Sequence, residues 1–370
     1  MMTAARRVVI TGRGVLSPLG CDWASFASAV RAGATSSAAP FPNAMPEDPI
    51  LCHLLSNPEA LASSNGGRDR ERLSTLATAV VRQALTEAGI AIDGATLDDV
   101  GLVMNTIFGP SHATESYLER LRESGPRTAR PAQFVDTLLS MPASRVGIAL
   151  RLRGSTAVLG GSSALELALD WVRSGREHTV VAGGGEYQSP KCLRYLRVLA
   201  ARSGADRSLP AQGAAFVVLE AADHAAERGA KILAEVLGAG AASEPQEIAV
   251  PWSVDAEGRA FVCAIRAALN EAEVGPEEVG AVVLAAGDDA SERGELAALR
   301  AVFGESGAKL PLRFPKRLLG EALGASAGLG LLAALASLDG ESSAQPAIAV
   351  VSAFEMGGAV TSLVLRVPSS

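Results

Sequence analysis

The residues best placed to do chemistry lie in one strand-to-helix turn, within the stretch GSTAVLGGSSALELALDWVRSG at residues 154–175. The N-terminus of a helix carries about half a positive charge, which lowers the pKa of a thiol placed there. We expect the turn to consist of Val158, Leu159, Gly160 and Gly161. It has the geometry for nucleophilic catalysis, but none of the four residues carries a nucleophilic group.

Two serines, Ser162 and Ser163, follow the glycine pair and are the nearest candidate nucleophiles. An activated serine needs a neighbouring base. His112 ends the turn NTIFGPSH and has the best position among the histidines, the others being His53, His178 and His224. A solvated or core histidine is the simpler interpretation of each of the four.

The cysteines and the net charge argue against several kinds of site and partner. The cysteines form no CxxC or Cys/His cluster, so we expect no metal and reduced thiols at Cys21, Cys52, Cys192 and Cys263. The net charge is −7 without a dense Lys/Arg run, which argues against nucleic acid and anionic membranes. No apolar run is long enough to span a bilayer, and we expect a soluble, cytoplasmic protein without a cofactor.

Alternating strand and helix patterns predict an α/β protein with mainly parallel pairing. The predicted strands are residues 7–11, 100–105, 156–159, 179–182, 214–220, 231–237, 281–285, 347–352 and 361–366. The predicted helices are residues 72–88, 133–150, 163–173, 258–273, 292–303 and 321–338. Residues 34–70 and 187–212 are interpreted as surface excursions. Both halves repeat the same order of elements, so we predict two units, residues 1–220 and 221–370.

Five motifs in order along the chain resemble the β-ketoacyl synthase family. They are VVITGRGVLSPLG, the strand–turn–helix ending in RSG, VVAGGGE, GAAFVVLEAADHAAERGAKILAEVLG and the closing VVSAFEMGGAVTSLVLR. The matches span nearly the whole chain. The resemblance implies a thiolase fold, in which two fused similar α/β halves form five layers, αβαβα, and the protein works as a dimer.

The resemblance also implies positions for a reactive Cys-His-His set, and this chain departs from all three. The cysteine position falls on Val158, the first histidine on Ala286 and the second on Glu321, whereas the motif lysine is retained as Lys316. Valine forms no thioester, and the loss of one oxyanion donor alone costs about 10² to 10³ in rate. The gating aromatic of active members is replaced by Met356. We therefore expect no catalytic residue and a lost activity.

Within the family, the chain resembles the chain length factor, the β subunit of type II polyketide and polyene synthases. That resemblance implies a heterodimer with an active ketosynthase α subunit, whose acyl tunnel this chain helps to wall. The glycine pair Gly160 and Gly161 belongs to the same resemblance. In FVDTLLSMPASRVG an apolar stripe at i, i+3, i+4 and i+7 is expected at the interface, near two residues of NTIFGPSH: Phe134, Thr137, Leu138, Met141, Ile107 and Phe108.

An acyl carrier protein is the second partner that the resemblance implies, and Arg194 and Arg197 are candidate docking residues for it. Two other functions remain open. The chain is a divergent acyltransferase that uses Ser162, Ser163 or Cys263, or it is a homodimeric binding or scaffold protein.

Overall fold

The computed structural model describes seven segments of the chain, residues 6–41, 49–55, 71–161, 163–203, 208–244, 255–338 and 347–368. Within these segments the chain forms one large mixed sheet with helices on both faces. None of the helices found there combines the length and the apolar character that a membrane crossing needs.

Ten strands form the large sheet and two form a short separate hairpin. The strands are β1 (Val8–Leu16), β2 (Ala39–Pro40), β3 (Leu51–Cys52), β4 (Val100–Asn105), β5 (Thr156–Leu159), β6 (Thr179–Glu186), β7 (Gly213–Ala221), β8 (Ala234–Ser243), β9 (Ala281–Val283), β10 (Leu312–Arg313), β11 (Ala347–Phe354) and β12 (Ala359–Val367). The order in the large sheet is β10-β9-β11-β12-β8-β1-β7-β6-β4-β5, and β2 pairs with β3.

The large sheet consists of two groups of five strands with the same internal order. When the strands of each group are numbered along the chain, both groups read third, second, fourth, fifth, first. In each group the first three strands of that order are parallel, and the last two are antiparallel to their neighbours. The groups join where β1 and β8 pair antiparallel, with Val8 opposite Val236. The repeated topology agrees with two fused similar halves, and the boundary at residues 220 and 221 stays a prediction.

The helices cover the two faces of the sheet and fill the space between its halves. They are α1 (Trp23–Arg31), α2 (Arg72–Glu87), α3 (Ser111–Ser124), α4 (Pro131–Val135), α5 (Met141–Leu150), α6 (Ala164–Arg173), α7 (Pro190–Ser203), α8 (Ala222–Glu227), α9 (Arg259–Ala272), α10 (Asp289–Phe303), α11 (Pro315–Leu319) and α12 (Ser326–Leu338). Apolar residues at helical spacing bury one face of the outer helices, whereas α12 is buried nearly all round, as expected for a central helix.

Three hydrophobic clusters fill the space between the layers, and the middle one surrounds the central helices. In the first, Leu76 of α2 and Val146 of α5 pack on the N-terminal strands. In the middle cluster, Leu169 of α6 and Leu332 of α12 lie between the two groups of strands. In the third, Ile265 of α9 lies with the residues that cover the C-terminal strands. The layer order is the predicted αβαβα, and the expected fold is confirmed. The expected mainly parallel pairing is wrong, because five of the nine strand pairings in the large sheet, as far as the structure describes it, are antiparallel.

The predicted helix over residues 133–150 is wrong in its first part. The chain forms the short α4, then a run of turns at 136–140, and then α5. The Thr137 hydroxyl donates a hydrogen bond to the Phe134 carbonyl, and Pro142 lies in the first turn of α5. Both features favour a break, because the side chain competes with helical hydrogen bonds and proline starts a helix more easily than it continues one. The stripe from Phe134 to Met141 therefore does not share one helical face.

Two further helices contradict the sequence interpretation. Residues 187–212 were expected to be a surface excursion but contain the helix α7, because Leu193, Leu196 and Leu199 form one buried face. The Lys and Arg residues between these leucines hid that apolar pattern in the sequence. The helix α3 follows the turn at residues 106–110 and was not predicted. Of the excursion at residues 34–70, the structure describes residues 34–41 and 49–55, which include the hairpin of β2 and β3.

Candidate functional site

The turn that follows β5 is shorter than the sequence predicted. Val158 and Leu159 belong to the strand, where Val158 lies opposite Met104 of β4 and packs against the outer cluster of the N-terminal half. The helix α6 begins at Ala164, with Ser163 at its N-cap. Five residues thus separate Val158 from the helix, and Ser163 is the described residue next to its N-terminus.

Asn105, the last residue of β4, holds this turn in place. Its Oδ1 accepts a hydrogen bond of 3.1 Å from the backbone N–H of Gly161, which has a φ of +80° that favours glycine. A Cβ added to Gly161 would lie 3.5 Å from Cδ1 of Ile107 and 3.7 Å from the backbone nitrogen of Gly357. The turn after β5 therefore meets the turn between β11 and β12, and the two halves of the chain approach each other here.

Glu186, at the end of β6, fixes the loop that carries Ile107 and Phe108. Its carboxylate accepts hydrogen bonds from the backbone N–H groups of Ile107, at 2.8 Å, and Phe108, at 3.1 Å, and one from the Thr106 hydroxyl. Burial raises the pKa of Glu186 to about 7, although these donors oppose the shift. The two residues expected near the tunnel are thus held by a carboxylate that has no exposed surface.

Ala286, which the resemblance predicts at or next to the first histidine position, lies in a loop that a second buried carboxylate organises. Glu295 of α10 accepts hydrogen bonds from the backbone N–H groups of Ala285, at 3.0 Å, and Ala286, at 2.9 Å. Burial raises the pKa of Glu295 to about 7, against the effect of these donors and of the nearby Lys316. Ala286 is itself 3% exposed and offers no side-chain hydrogen bond.

Glu321, which the resemblance predicts at the second histidine position, forms a salt bridge with Lys316. The Lys316 Nζ lies 2.6 Å from Oε2 of Glu321, and the side chains are 7% and 16% exposed. The other oxygen of Glu321 accepts hydrogen bonds from the Ser326 hydroxyl at 2.6 Å and the backbone N–H of Leu323 at 2.8 Å. Leu323 has a φ of +50°, an uncommon conformation for a branched residue, and Glu321 helps to hold it there. The retained lysine is therefore paired within the chain.

Glu355 adds a third buried acid at the turn between β11 and β12. It is 2% exposed, and burial raises its pKa to about 8; Lys316 lowers the pKa and Glu321 raises it. Its Oε1 has no hydrogen-bond partner, and neither does Nδ2 of the neighbouring Asn105, among the residues that the structure describes. Glu355 is therefore mostly protonated at neutral pH. Met356 follows it and packs, partly buried, on the C-terminal hydrophobic cluster.

Together these residues form a buried centre of one lysine and four acids where the two halves meet: Glu186, Glu295 and Glu355 are buried, and Glu321 is partly exposed. The histidines have partners elsewhere: His53 contacts Ser36, His112 the Gln188 carbonyl, His178 Arg6, and His224 Glu220. No hydrogen bond joins a histidine to Ser163 in the described segments. A Ser163–histidine pair for acyl transfer is therefore not formed within these segments.

The other candidate nucleophiles do not complete a reactive set. Ser162 lies outside the described residues. Ser163 is 3% exposed and makes no side-chain capping hydrogen bond. Cys263 lies on the exposed side of α9, in the outer layer of the C-terminal half, so the middle layer of helices and the turn after β5 are remote from it.

An apolar pocket of about 300 Å³ adjoins the buried centre. Its lining includes Lys316 and Glu321, the loop after β9, part of α7 and the loop at residues 208–210. The ion pair thus forms part of the pocket wall, and both halves of the chain contribute to the lining.

A second feature is an exposed apolar surface beside the open edge of the sheet. It consists of residues with large apolar side chains that are 42–75% exposed: Leu118, Phe134, Val135, Leu138, Leu139 and Ile148. Thr137 and Met141 are partly exposed between them. The strand β5 is the last strand of the sheet and pairs only with β4 within the described segments. Exposed apolar area beside an unpaired strand edge is typical of a protein–protein interface.

Leu139 connects this surface to the turn after β5. A Cβ added to Gly109 would lie 2.7 Å from Cδ1 of Leu139, and one added to Gly160 would lie 3.8 Å from its Cδ2. The structure therefore brings Ile107, Phe108, Gly160, Gly161 and the interface segment together. Arg194 and Arg197 lie apart from them on the exposed side of α7.

Asn105, Glu186 and Glu295 were missed by sequence reasoning. Glu295 could have been noticed in the sequence. It lies three and four residues before Ala298 and Leu299, so it places a charged side chain on the apolar face of α10. Asn105 ends a predicted buried strand, a place where polar side chains often serve a site, whereas Glu186 lies four residues beyond the predicted strand 179–182 and ends the observed β6. Their hydrogen bonds join segments 56 to 80 residues apart, and local patterns carry no information about such contacts.

Comparison with known proteins assigns the family. The profile described as Beta-ketoacyl synthase, N-terminal domain, matches residues 5–225, and the corresponding C-terminal domain matches residues 233–347. Nodulation protein E of Rhizobium leguminosarum bv. trifolii is 30% identical over 353 residues, 90% of this chain and 86% of that protein. The 3-oxoacyl-(acyl-carrier-protein) synthase 2 of Staphylococcus aureus (strain N315) is 26% identical over 359 residues, 89% of this chain and 84% of that protein.

Solved structures agree in fold. The ishigamide ketosynthase/chain length factor is 23% identical with a TM-score of 0.83, covering 99% of this chain and 100% of that chain. A type II polyketide ketosynthase in complex with its acyl-carrier protein is 19% identical with a TM-score of 0.84, covering 98% and 100%. On the two profile matches, which together span most of its length, the chain belongs to the β-ketoacyl synthase family.

Proposed function

We propose that this chain is a non-catalytic ketosynthase-like subunit of the chain length factor type. It pairs with an active ketosynthase and shapes the acyl tunnel of that partner in type II polyketide or polyene biosynthesis. The observation that carries the proposal is the ion pair between Lys316 and Glu321, because it neutralises the retained lysine of the family motif.

The residues at the other reactive positions support the same proposal. Ala286 donates only its backbone N–H, and that group is already bonded to Glu295. Val158, the counterpart of the cysteine by resemblance, forms no thioester. Glu321 already pairs with the Lys316 ammonium group, which is then not available to stabilise the negative charge that develops during condensation. A chain with this centre contributes to synthesis through its surfaces and its shape.

The exposed apolar surface beside β5 supports pairing with a second ketosynthase-like chain. Its large side chains are costly to leave in water, and an edge strand supplies backbone donors and acceptors to a partner strand. An obligate interface of this kind buries more than about 2,000 Å². The ketosynthase/chain length factor relative has the same fold, which makes an active ketosynthase the proposed partner.

The proposed steric role belongs to the residues where this surface meets the turn after β5. Leu139 lies beside Gly160 and Ile107 beside Gly161, and the bulky Phe108 and Met356 follow next to Ile107 and Gly357 in the chain. Bulky side chains at the end of a tunnel stop elongation, because overfilling a packed cavity costs about 1–3 kcal/mol. We further propose that an acyl carrier protein docks beside Arg194 and Arg197, which are exposed on α7.

Co-expression with the ketosynthase encoded beside this chain tests the proposal. We expect a one-to-one complex that makes product, whereas the chain alone neither becomes acylated nor releases carbon dioxide from malonyl carrier protein. Phe108→Ala should lengthen the product, and the exposed Ile232→Ala should leave it unchanged. Turnover by the isolated chain, or a stable homodimer that ignores the ketosynthase, would contradict the proposal, and the homodimer would favour a scaffold.

An acyltransferase is the second candidate function, favoured by Ser163 at the N-terminus of α6 and by the synthase name of a curated relative. Mass spectrometry after incubation with acyl carrier protein or acyl-CoA distinguishes the two. An adduct that disappears in Ser163→Ala would establish the acyltransferase, and the first proposal predicts no adduct.

A further inference from the structure

One buried carboxylate holds the whole loop after β4, which carries the bulky Phe108. Glu186 accepts hydrogen bonds from the backbone N–H groups of Ile107, at 2.8 Å, and Phe108, at 3.1 Å. It also accepts one from the Thr106 hydroxyl, whose oxygen accepts one from the backbone N–H of Gly109 at 3.1 Å. Four consecutive residues therefore depend on one side chain for their position.

The same carboxylate connects this loop to the C-terminal half. The backbone N–H of Gly324 donates toward Glu186 and helps to lower its pKa against the effect of burial. A Cβ added to Gly324 would lie 2.5 Å from Cα of Thr106, so the two segments are in direct contact. Gly324 follows Leu323, whose backbone N–H is bonded to Glu321. A shift of the loop after β4 would therefore break contacts in both halves.

Other contacts hold the ring of Phe108. It lies edge-on to the ring of Tyr195, with the ring centroids 6.2 Å apart and an angle of 86° between the ring planes. Aromatic pairs favour such an edge-to-face arrangement. The Phe108 side chain is partly buried and packs on the C-terminal hydrophobic cluster. The hydrogen bonds to Glu186 and the ring contacts together restrict Phe108 to one position.

The equivalent loop of the other half is held in the same way. β4 and β9 are the second strands of their groups along the chain, and Glu295 holds the loop after β9 through the backbone N–H groups of Ala285 and Ala286. Neither Glu186 nor Glu295 has exposed surface. Because the residues bonded to Glu295 are alanines, only the carboxylate of the N-terminal half positions a bulky side chain.

We propose that Glu186 is a positioning residue that sets the spread of product lengths by holding Phe108 in place at the end of the tunnel. The inference rests on the proposed function, and it adds a residue that acts through Phe108 without touching the growing chain. A wall that is free to move admits chains of several lengths. A fixed wall stops elongation at one length, because overfilling a packed cavity is unfavourable only while its wall cannot yield.

Hydrogen exchange measured by mass spectrometry tests the role of Glu186 on the full chain alone. Glu186→Gln keeps the shape of the side chain but replaces one acceptor oxygen by a donor, so residues 106–109 should exchange about tenfold faster. Glu295→Gln is the matched control, which should accelerate exchange at residues 284–287 and leave residues 106–109 unchanged. Unchanged exchange at residues 106–109 in Glu186→Gln, or equal acceleration there in both variants, overturns the proposal.

Product length tests whether Glu186 acts through Phe108. In the complex with the ketosynthase, Glu186→Gln should raise the fraction of products longer than the main one about threefold, and Glu295→Gln should not. In a Phe108→Ala background, Glu186→Gln should change this fraction by less than about 1.5-fold, because the side chain that it positions is already absent. A merely structural role would lower the yield and leave the fraction unchanged. That result, or additive effects of the two substitutions, overturns the proposal.

Thr106→Val decides the matter if Glu186→Gln prevents folding. It nearly preserves the volume of the side chain and removes the hydroxyl that joins the carboxylate to Gly109, so it should raise the same fraction about twofold. An unchanged fraction in folded Thr106→Val overturns the proposal. If no one-to-one complex forms with the ketosynthase, the proposed function fails and this inference fails with it. If the complex forms and the variants leave product length unchanged, only this inference fails.

Discussion

The two halves of the sheet have the same strand order and different uses. At the N-terminal end, β5 has four residues and lies beside apolar side chains such as Ile148, which is 75% exposed. At the C-terminal end, the equivalent strand β10 has two residues, and the one large exposed apolar side chain described in residues 221–370 is Ile232. The C-terminal half instead supplies Lys316 and Glu321 to the buried centre.

The difference shows how one topology serves two purposes after duplication. Strand order depends on backbone pairing and on the apolar layers, and both halves retain these. The residues at the ends of the sheet and where the two halves meet contribute little to that pairing. The two halves can therefore differ at these positions. We infer that the N-terminal half provides the contact surface and the C-terminal half provides the charges, and four experiments test this division.

The largest effect should come from breaking the ion pair in the C-terminal half. Lys316→Met leaves the Glu321 carboxylate buried without its cation and should lower the free energy of unfolding by about 3–5 kcal/mol. The double variant Lys316→Met with Glu321→Leu should recover most of the loss. Urea denaturation of both variants measures the difference. A single variant as stable as the wild type would show that the pair is solvated and not part of a buried centre.

The next effect concerns the contact surface of the N-terminal half. Ile148→Asp places a charge in the expected interface and should weaken the complex with the ketosynthase about a hundredfold, which corresponds to about 2.7 kcal/mol. Ile232→Asp, at the exposed position in the other half, is the matched control and should leave the complex intact. Analytical ultracentrifugation of both variants provides the measurement, and equal weakening would remove the distinction between the halves.

The pH dependence of the free energy of unfolding tests the burial of Glu355 where the two halves meet. The pKa of Glu355 is about 8 in the folded chain against an ordinary value of 4.5. As the pH rises, the unfolded chain releases this proton first, so stability is full below about pH 4.5 and falls until about pH 8. Glu355→Gln should remove a loss of roughly 2–3 kcal/mol between pH 5.5 and 7.5. Glu123→Gln, on the exposed side of α3, should leave the slope unchanged, and an unchanged slope in Glu355→Gln would contradict the assignment.

The smallest effect should come from the turn after β5, in the N-terminal half. Gly161 has a φ of +80°, and Gly161→Ala should cost about 1–2 kcal/mol. Gly160 has no such φ, and a Cβ added to it would meet Leu139 at an ordinary 3.8 Å, so Gly160→Ala should cost little. Thermal unfolding of the two variants compares them, and equal melting temperatures would show that the turn relaxes without strain.

Most of the fold followed from local patterns, and the errors have physical causes. The strand pattern of β4 and the apolar stripe of α6 were sufficient to predict these elements. The break between α4 and α5 was missed because an apolar spacing of i, i+3, i+4 and i+7 is helical in pattern even when hydroxyl competition and a proline interrupt it. The cations of α7 hid the buried leucines on its other face.

The candidate site was only partly predictable. The residue types at Ala286, Glu321 and Lys316 can be read directly from the sequence. The absence of a cysteine from Val158 to Gly161 can be read in the same way. The pairing of Lys316 with Glu321 and the burial of Glu355 depend on where α11, α12 and the β11–β12 turn pack. Val158 was predicted both at the end of a strand and in the following turn, and pairing with β4 decided that it belongs to β5.

The sequence by itself determined the family resemblance, the αβαβα layers that it implies, and the predicted absence of cysteine and histidine at the expected reactive positions, because motifs and residue identity are local properties. The tertiary structure alone decided that the remaining lysine is neutralised, that three acids are buried where the halves meet, and that an apolar pocket adjoins them. These features arise from contacts between segments distant in sequence, and the free energies of burial and pairing that govern them exist only once the chain has packed.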